Sequence, residues 1–203
     1  MSQEPKTVRG RRTRERIVAS AVTLMADHGV EATSLDQVLV AAGASKSQLY
    51  HYFQDKQELV RAVIAWQAET VLRVSAQELA AVDSWPALQA WFDALVQAQR
   101  HSQCRLGCPI GSLAAELADI SEPARQDLAG AFDAWTRQLG AMFDRLRAGG
   151  LLPGDVDVMT LATATLATIQ GGILLAKTTR DPERLRAALT ATTGYLQALA
   201  PGA

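Results

Sequence analysis

Lys46, Ser47 and Gln48 stand directly after Ser45 at the start of a short apolar-periodic segment. Their side chains are of the kinds that read base edges. A lysine donates to O6 and N7 of guanine, a glutamine amide pairs with N6 and N7 of adenine, and a serine hydroxyl serves base or phosphate. Tyr50, His51 and Tyr52 follow with few apolar obligations, and Lys56 comes soon after. Phenol, imidazole and ammonium donors on one outer face suit phosphate contacts, which set register without reading sequence. A second cluster, Cys104 and Cys108, has a spacing that could close reversibly as a redox or electrophile sensor. The two cysteines have no histidines beside them, so a zinc site is not expected.

Base-reading side chains need a rigid mount, and the surrounding pattern predicts one. From Thr13 to His28, apolar residues recur at helical spacing and Gly29 follows as a C-cap. Ser34 with Gln37, and Ser45 with Gln48, repeat the capping-box pattern in which hydroxyl and amide satisfy each other's backbone donors. A short helix from Ser34 therefore stops at Gly43, and a second starts at Ser45 with Leu49 and Phe53 turned inward. Two short helices across a tight Ala42 to Ala44 turn make a helix-turn-helix, whose second helix enters the major groove. Asp55 and Glu58 open a long fourth helix. The N-terminal amides of the second and fourth helices offer further phosphate donors.

Charge supports the same division. Residues 1–61 carry nine Lys or Arg against seven Asp or Glu, and the remainder eleven against fourteen, so a +2 head precedes a −3 body in a chain of net charge −1. Within the head, Lys6, Arg9, Arg11, Arg12, Arg14 and Arg16 predict a flexible basic arm over 1–11 leading into the first helix. A non-specific DNA-coating protein would be basic throughout, so site-specific binding is the better expectation. An enzyme finds little support. His28, His51 and His101 have no metal-ligand companion one turn on, the glycines near Cys108 lack the lysine of a phosphate loop, and there is no nucleophile elbow. No catalytic residue, metal or cofactor is expected.

The run Ala42-Gly43-Ala44-Ser45-Lys46-Ser47-Gln48-Leu49-Tyr50-His51-Tyr52-Phe53, preceded by Thr33-Ser34 and followed by Asp55-Lys56-Gln57-Glu58-Leu59, resembles the TetR family of repressors. Two positions depart from that pattern: a valine is commoner where Ala44 stands, and a glycine where Ser47 stands. The resemblance implies a dimer on a palindromic operator. It gives Thr33, Ser34, Ser45, Lys46, Ser47, Gln48, Tyr50, His51, Tyr52 and Lys56 as the DNA-contacting positions. The stretch Arg105 to Leu113 resembles the LmrA and YxaF branch of the same family, which implies control of a transporter or detoxification gene.

The remainder, residues 61–203, reads as an all-α ligand-binding and dimerisation body behind a head at 12–60, with about nine helices in the chain. In the resembled family such a body encloses an inducer. Trp66, Trp91, Phe92, Cys108, Trp135, Met142 and Phe143 are the candidate walls, and their character suggests a hydrophobic or aromatic ligand. Gly107, Pro109 and Gly111 are expected to break the helix at the pocket entrance. Residues 156–177 are nearly uncharged, so with the final helix they predict a homodimer interface over 156–199. No stretch approaches the roughly 20 uninterrupted apolar residues of a membrane span. The charged start lacks a secretory apolar core. A cytoplasmic location is the expectation.

Overall fold

The computed structural model describes residues 7–200. Among them are nine helices and no strand: α1 Val8–His28, α2 Leu35–Ala42, α3 Lys46–Tyr52, α4 Lys56–Ala80, α5 Trp85–His101, α6 Pro109–Leu117, α7 Glu122–Ala148, α8 Val158–Thr179 and α9 Glu183–Ala198. The all-α expectation and the helix count hold. The chain packs as two units. One takes in the chain up to Thr70 together with Ser112–Gly130, and the other Val71–Gly111 together with the chain from Ala131 onward. The expected head therefore packs with α6 and the first turns of α7, partners that lie far from it in sequence.

In the first unit α1 packs on α2 and α3, and Ile17, Val18, Ala21, Val38, Leu49, Phe53 and Leu59 are buried in that unit. The helix begins earlier than expected, because the Thr7 hydroxyl accepts the Gly10 amide and starts a turn at Val8. Residues 8–11 of the expected arm are therefore helical, and Met1 to Lys6 lie outside the described residues. Two of the arginines assigned to phosphate are used by the fold itself. Arg16 Nε donates to the Ala42 carbonyl at 2.7 Å, closing the end of α2, and the Arg14 guanidinium lies 5.2 Å from the centre of the Phe53 ring.

In the second unit α8 and α9 pack closely on each other and α5 packs on both. The α8–α9 approach is set at Gly172, where an added Cβ would fall 2.6 Å from Leu185 Cδ1 and 3.2 Å from Leu185 Cα. Two sequence expectations change here. Pro109 does not break a helix but begins one: α6 starts at Pro109, the position where a missing N–H costs nothing, and Gly111 lies inside its first turn. The irregular stretch shrinks to about Gln103 to Cys108, with Gln103 and Cys104 at positive φ. The second change concerns α8. Its length and its best 18-residue window, of mean hydropathy 1.6, fit a membrane-crossing helix, although the sequence suggested none. Its four buried large aliphatics, Val158, Leu161, Leu166 and Ile169, with Ala162, Gly172 and Ala176 beside them, show one face spent on the protein core.

Candidate nucleic-acid interface

The recognition segment is built by local hydrogen bonding. Ser34 Oγ accepts the Gln37 amide at 3.2 Å, while Gln37 Oε1 accepts the Ser34 amide at 2.7 Å. α2 ends at Gly43 with φ 55°, where the Gly43 amide reaches Val40 O and the Ala44 amide reaches Leu39 O. That left-handed residue reverses the chain, and a side chain there would be strained. Ser45 then repeats the capping box: its Oγ accepts the Gln48 amide at 3.2 Å and Gln48 Oε1 accepts the Ser45 amide at 2.9 Å. A seven-residue helix has too few internal bonds to hold itself, so these caps and its buried side fix its orientation.

α3 has two unlike faces. Leu49, Tyr52 and Phe53, at i, i+3 and i+4, are buried, whereas Lys46, Ser47, Gln48, Tyr50 and His51 are exposed. The structure corrects the reading of Tyr52. At 7% exposure it is not on the outer face; its ring stands edge-on between His51, 4.9 Å away centre to centre, and Phe53, at 6.5 Å. Thr33 also turns inward, buried, with its hydroxyl donating to Gly29 O at 2.7 Å. Ser34 and Ser45 are exposed but engaged as caps, and Gln48 presents its amide nitrogen while its oxygen is held by Ser45. Lys56 donates to Glu31 O at 3.0 Å, which ties the start of α4 to the turn before α2. The exposed set brought together is thus Lys46, Ser47, Gln48, Tyr50 and His51. An ammonium, a hydroxyl, an amide, a phenol and an imidazole on one short protruding face can donate to base edges and phosphates.

Sequence reasoning missed the group that fixes the α1–α2 turn. Glu116, on α6, accepts the Val30 amide at 2.6 Å and the Glu31 amide at 3.0 Å through one carboxylate oxygen. Arg61 on α4 likewise makes a two-pronged pair with Asp127 on α7, at 2.6 and 3.1 Å, and the carboxylate raises the guanidinium's pKa. Partners 66 to 86 residues apart leave no signal in a single sequence.

Residues 17–63 match the family described as bacterial regulatory proteins, tetR family, and residues 85–191 match the transcriptional regulator LmrA/YxaF-like C-terminal domain. The chain belongs to the TetR family. The regulator is 31% identical over 172 residues to the HTH-type transcriptional regulator YxaF of Bacillus subtilis, spanning 83% of this chain and 87% of that one. It is 33% identical over 175 residues to an HTH-type transcriptional regulator of Mycobacterium tuberculosis, spanning 83% and 86%. Among solved structures, the regulatory protein TetR from Rhodobacter sphaeroides superposes with a TM-score of 0.78 at 24% identity, over 90% of this chain and 98% of that one, which shows a shared fold. This TetR-type transcriptional regulator is therefore of the LmrA/YxaF-like kind that the Arg105 to Leu113 stretch suggested.

The candidate ligand walls are distributed unevenly. Trp66 lies on α4 in the first unit and is partly exposed, while Trp91, Phe92, Cys108, Trp135, Met142 and Phe143 are all buried in the second. Trp91 and Phe92 lie 5.0 Å apart centre to centre, and the Trp91 indole N–H donates to Glu78 at 3.2 Å. A cavity of about 490 Å³ in that unit is bordered by Arg100, Gln103, Cys104, Arg105, Arg180 and Pro182, and one of about 420 Å³ in the first unit by residues including Val30, Lys56, Val60, Glu116 and Ile120. None of the seven candidate walls lines either cavity. Cys104 and Cys108 are free and buried, and Cys108 Sγ accepts from the Gly111 amide and Gln170 Nε2, both at 3.4 Å. A thiol sensor needs an accessible sulfur, so the alternative redox reading finds no support.

Proposed function

We propose that this regulator is a ligand-responsive repressor, which binds a palindromic operator as a homodimer and is released by a small effector held in the helical body. The observation that carries the reading is the two-faced α3. Its apolar side is anchored while Lys46, Ser47, Gln48, Tyr50 and His51 stand in solvent, with no structural role for Lys46, Ser47 or Tyr50 to explain their presence. Lys46 and Gln48 are assigned to base edges; Ser34, Tyr50, His51 and Lys56 are assigned to phosphates. Gln48 has to release its cap to present both amide atoms to adenine. Thr33, Ser45 and Tyr52 act by holding the turn and helix rather than by touching DNA.

The dimer reading rests on the α8–α9 face. Ala164, Ala167, Gly171, Leu174 and Leu175 on α8 are exposed, as are Ala187, Ala191, Gly194 and Tyr195 on α9. These follow i, i+3/i+4 stripes, and an uncharged stripe of small and apolar residues left in water is the mark of a helix packed by another protein chain. Pairing α8 and α9 with their copies makes a four-helix interface over 156–199 and accounts for the hydropathy of α8 without a membrane. The protein then works in the cytoplasm, where its operator is, and governs a gene that exports or transforms the effector. Affinity for the DNA upstream of its own and neighbouring genes, compared with random duplex at stated salt, tests the reading. A preference of at least about a thousandfold is expected, the lower end of specific over non-specific binding, and equal affinity for both would refute it.

A further inference from the structure

The cavity of about 490 Å³ in the second unit has three arginines in its wall, Arg100, Arg105 and Arg180, with Gln103, Cys104 and Pro182, and no carboxylate. The wall comes from the end of α5 with the turn after it, and from the turn between α8 and α9. Like charges gathered in one wall are unfavourable, so the cluster calls for carboxylates behind it or an anion in front of it.

Carboxylates account for one of the three. Arg100 pairs with Glu183 at 2.5 Å. Glu183 also holds Arg186, and Asp181 holds Arg184, so both acids of the α8–α9 turn are already engaged. Among the described residues, neither Arg105 nor Arg180 forms an ion pair. Arg180 ends α8 and donates through Nη1 to the Cys104 carbonyl at 2.7 Å, which ties the two turns together and uses one of its five donors. A cation at a helix C-terminus offsets the negative end of the dipole, and this accounts for the placing of Arg100 and Arg180. It does not account for Arg105, which lies in no helix and is exposed.

The backbone singles out the same place. Gln103, Cys104 and Arg180, at φ of 52°, 54° and 56°, are the non-glycine residues of positive φ among the described residues, and all of them lie in this wall. Such conformations are uncommon outside glycine, and they gather where a ligand is clamped. The Cys104 amide donates to Gln99 O at 2.7 Å and the Arg105 amide to Ser102 O at 3.0 Å, so the backbone that carries Arg105 is held in place.

We propose that this cavity binds a carboxylate or phosphate group, held by the guanidiniums of Arg105 and Arg180 with Arg100 beside them. The planar fork of an arginine offers two parallel N–H donors to two oxygens of an oxyanion, and two such forks fix its orientation. Because these side chains are exposed, water screens the attraction, and the dissociation constant is on the order of 1 mM. The site uses none of the buried aromatic residues of the body, so it stands whether or not they hold an effector.

The test titrates the full-length protein with inorganic phosphate and, separately, with succinate, each against sodium chloride at equal ionic strength, and follows the arginine Nε–H signals by nitrogen NMR. The signals missing from Arg105→Gln and Arg180→Gln assign those two residues. Both signals should shift saturably with at least one of the two anions and far less with chloride. Saturation by phosphate alone identifies the ligand as a phosphorylated one, and by succinate alone as a carboxylate. Arg105→Gln removes no side-chain hydrogen bond of the protomer, so it should leave the thermal midpoint unchanged while weakening the anion at least about tenfold, read on the Arg180 signal. Shifts that are equal and unsaturating in all three salts, or affinity that Arg105→Gln leaves unchanged, would overturn the proposal.

Discussion

Replacing Glu116 with alanine removes a carboxylate oxygen that accepts two backbone amides, Val30 at 2.6 Å and Glu31 at 3.0 Å. The two amides do not lose equally. Val30 is buried, so its N–H is the poorer placed of the two to find a replacement partner, whereas the Glu31 amide is exposed and water replaces the lost acceptor. A hydrogen bond to a charged group is worth about 1.5 to 3 kcal/mol when its loss strands a buried partner, and an exposed one much less. The expected cost of Glu116→Ala is therefore about 2 to 3 kcal/mol, nearly all from Val30. Glu116→Gln keeps an acceptor but not the charge, and should cost about half as much. Urea unfolding of the full-length protein at fixed concentration measures the stability change, and amide hydrogen exchange at Val30 and Glu31 locates it. If Glu116→Ala unfolds within about 0.5 kcal/mol of wild type, or exchange at Val30 stays slow, the carboxylate does not hold this turn and the reasoning fails.

Adjacent glycines on α8 should behave in opposite ways. Gly172→Ala forces a Cβ to 2.6 Å from Leu185 Cδ1 and against backbone at 3.2 Å, so it should cost about 1 to 3 kcal/mol of stability in thermal unfolding. Gly171→Ala meets nothing within 4 Å in the protomer and should leave the protomer's fold intact while weakening self-association by sedimentation. Leu174→Asp removes a side chain 64% exposed in the single chain. At about 2 kcal/mol for full burial that is about 1.3 kcal/mol per protomer, and by symmetry about 2.6 kcal/mol per dimer, so the dissociation constant should rise roughly a hundredfold. Glu122 is held down to about 2 by the hydrogen bond from Arg125 and then by that from Gln126. A depressed carboxylate contributes stability that is present above its ordinary value of 4.5 and is lost as pH falls towards 2. Carbon NMR of the Glu122 carboxyl should accordingly show no titration between pH 6 and about 3.5, and a midpoint near 4.5 would contradict the pairing.

What the sequence made legible was the short-range physics. Both capping boxes, the Gly43 reversal and the end of α1 depend on residues three to five apart, and these emerged where expected. Tyr52 was misplaced although its signal was present, since it shares the i, i+3, i+4 stripe of Leu49 and Phe53. Its hydroxyl drew attention away from that spacing. Pro109 was taken for a stop although proline is equally a first helical residue. The basic run at Arg14 and Arg16 had the look of a phosphate arm because nothing local reveals that one guanidinium caps α2, 26 residues away, and the other covers Phe53. The Glu116 clamp and the cavity walled by Arg100, Arg105 and Arg180 depend on which helices meet, which no periodicity reports.

As the proposed reading element, α3 should set which bases the regulator discriminates. The most direct measurement is the affinity of Lys46→Ala and Lys56→Ala for an operator and its full set of single-base variants, at one salt concentration. Lys46→Ala should lose about 1 to 3 kcal/mol and flatten discrimination at one base position in each half-site, whereas Lys56→Ala should weaken every sequence by a similar factor. Uniform losses from both substitutions, or base discrimination untouched by Lys46→Ala, would contradict it.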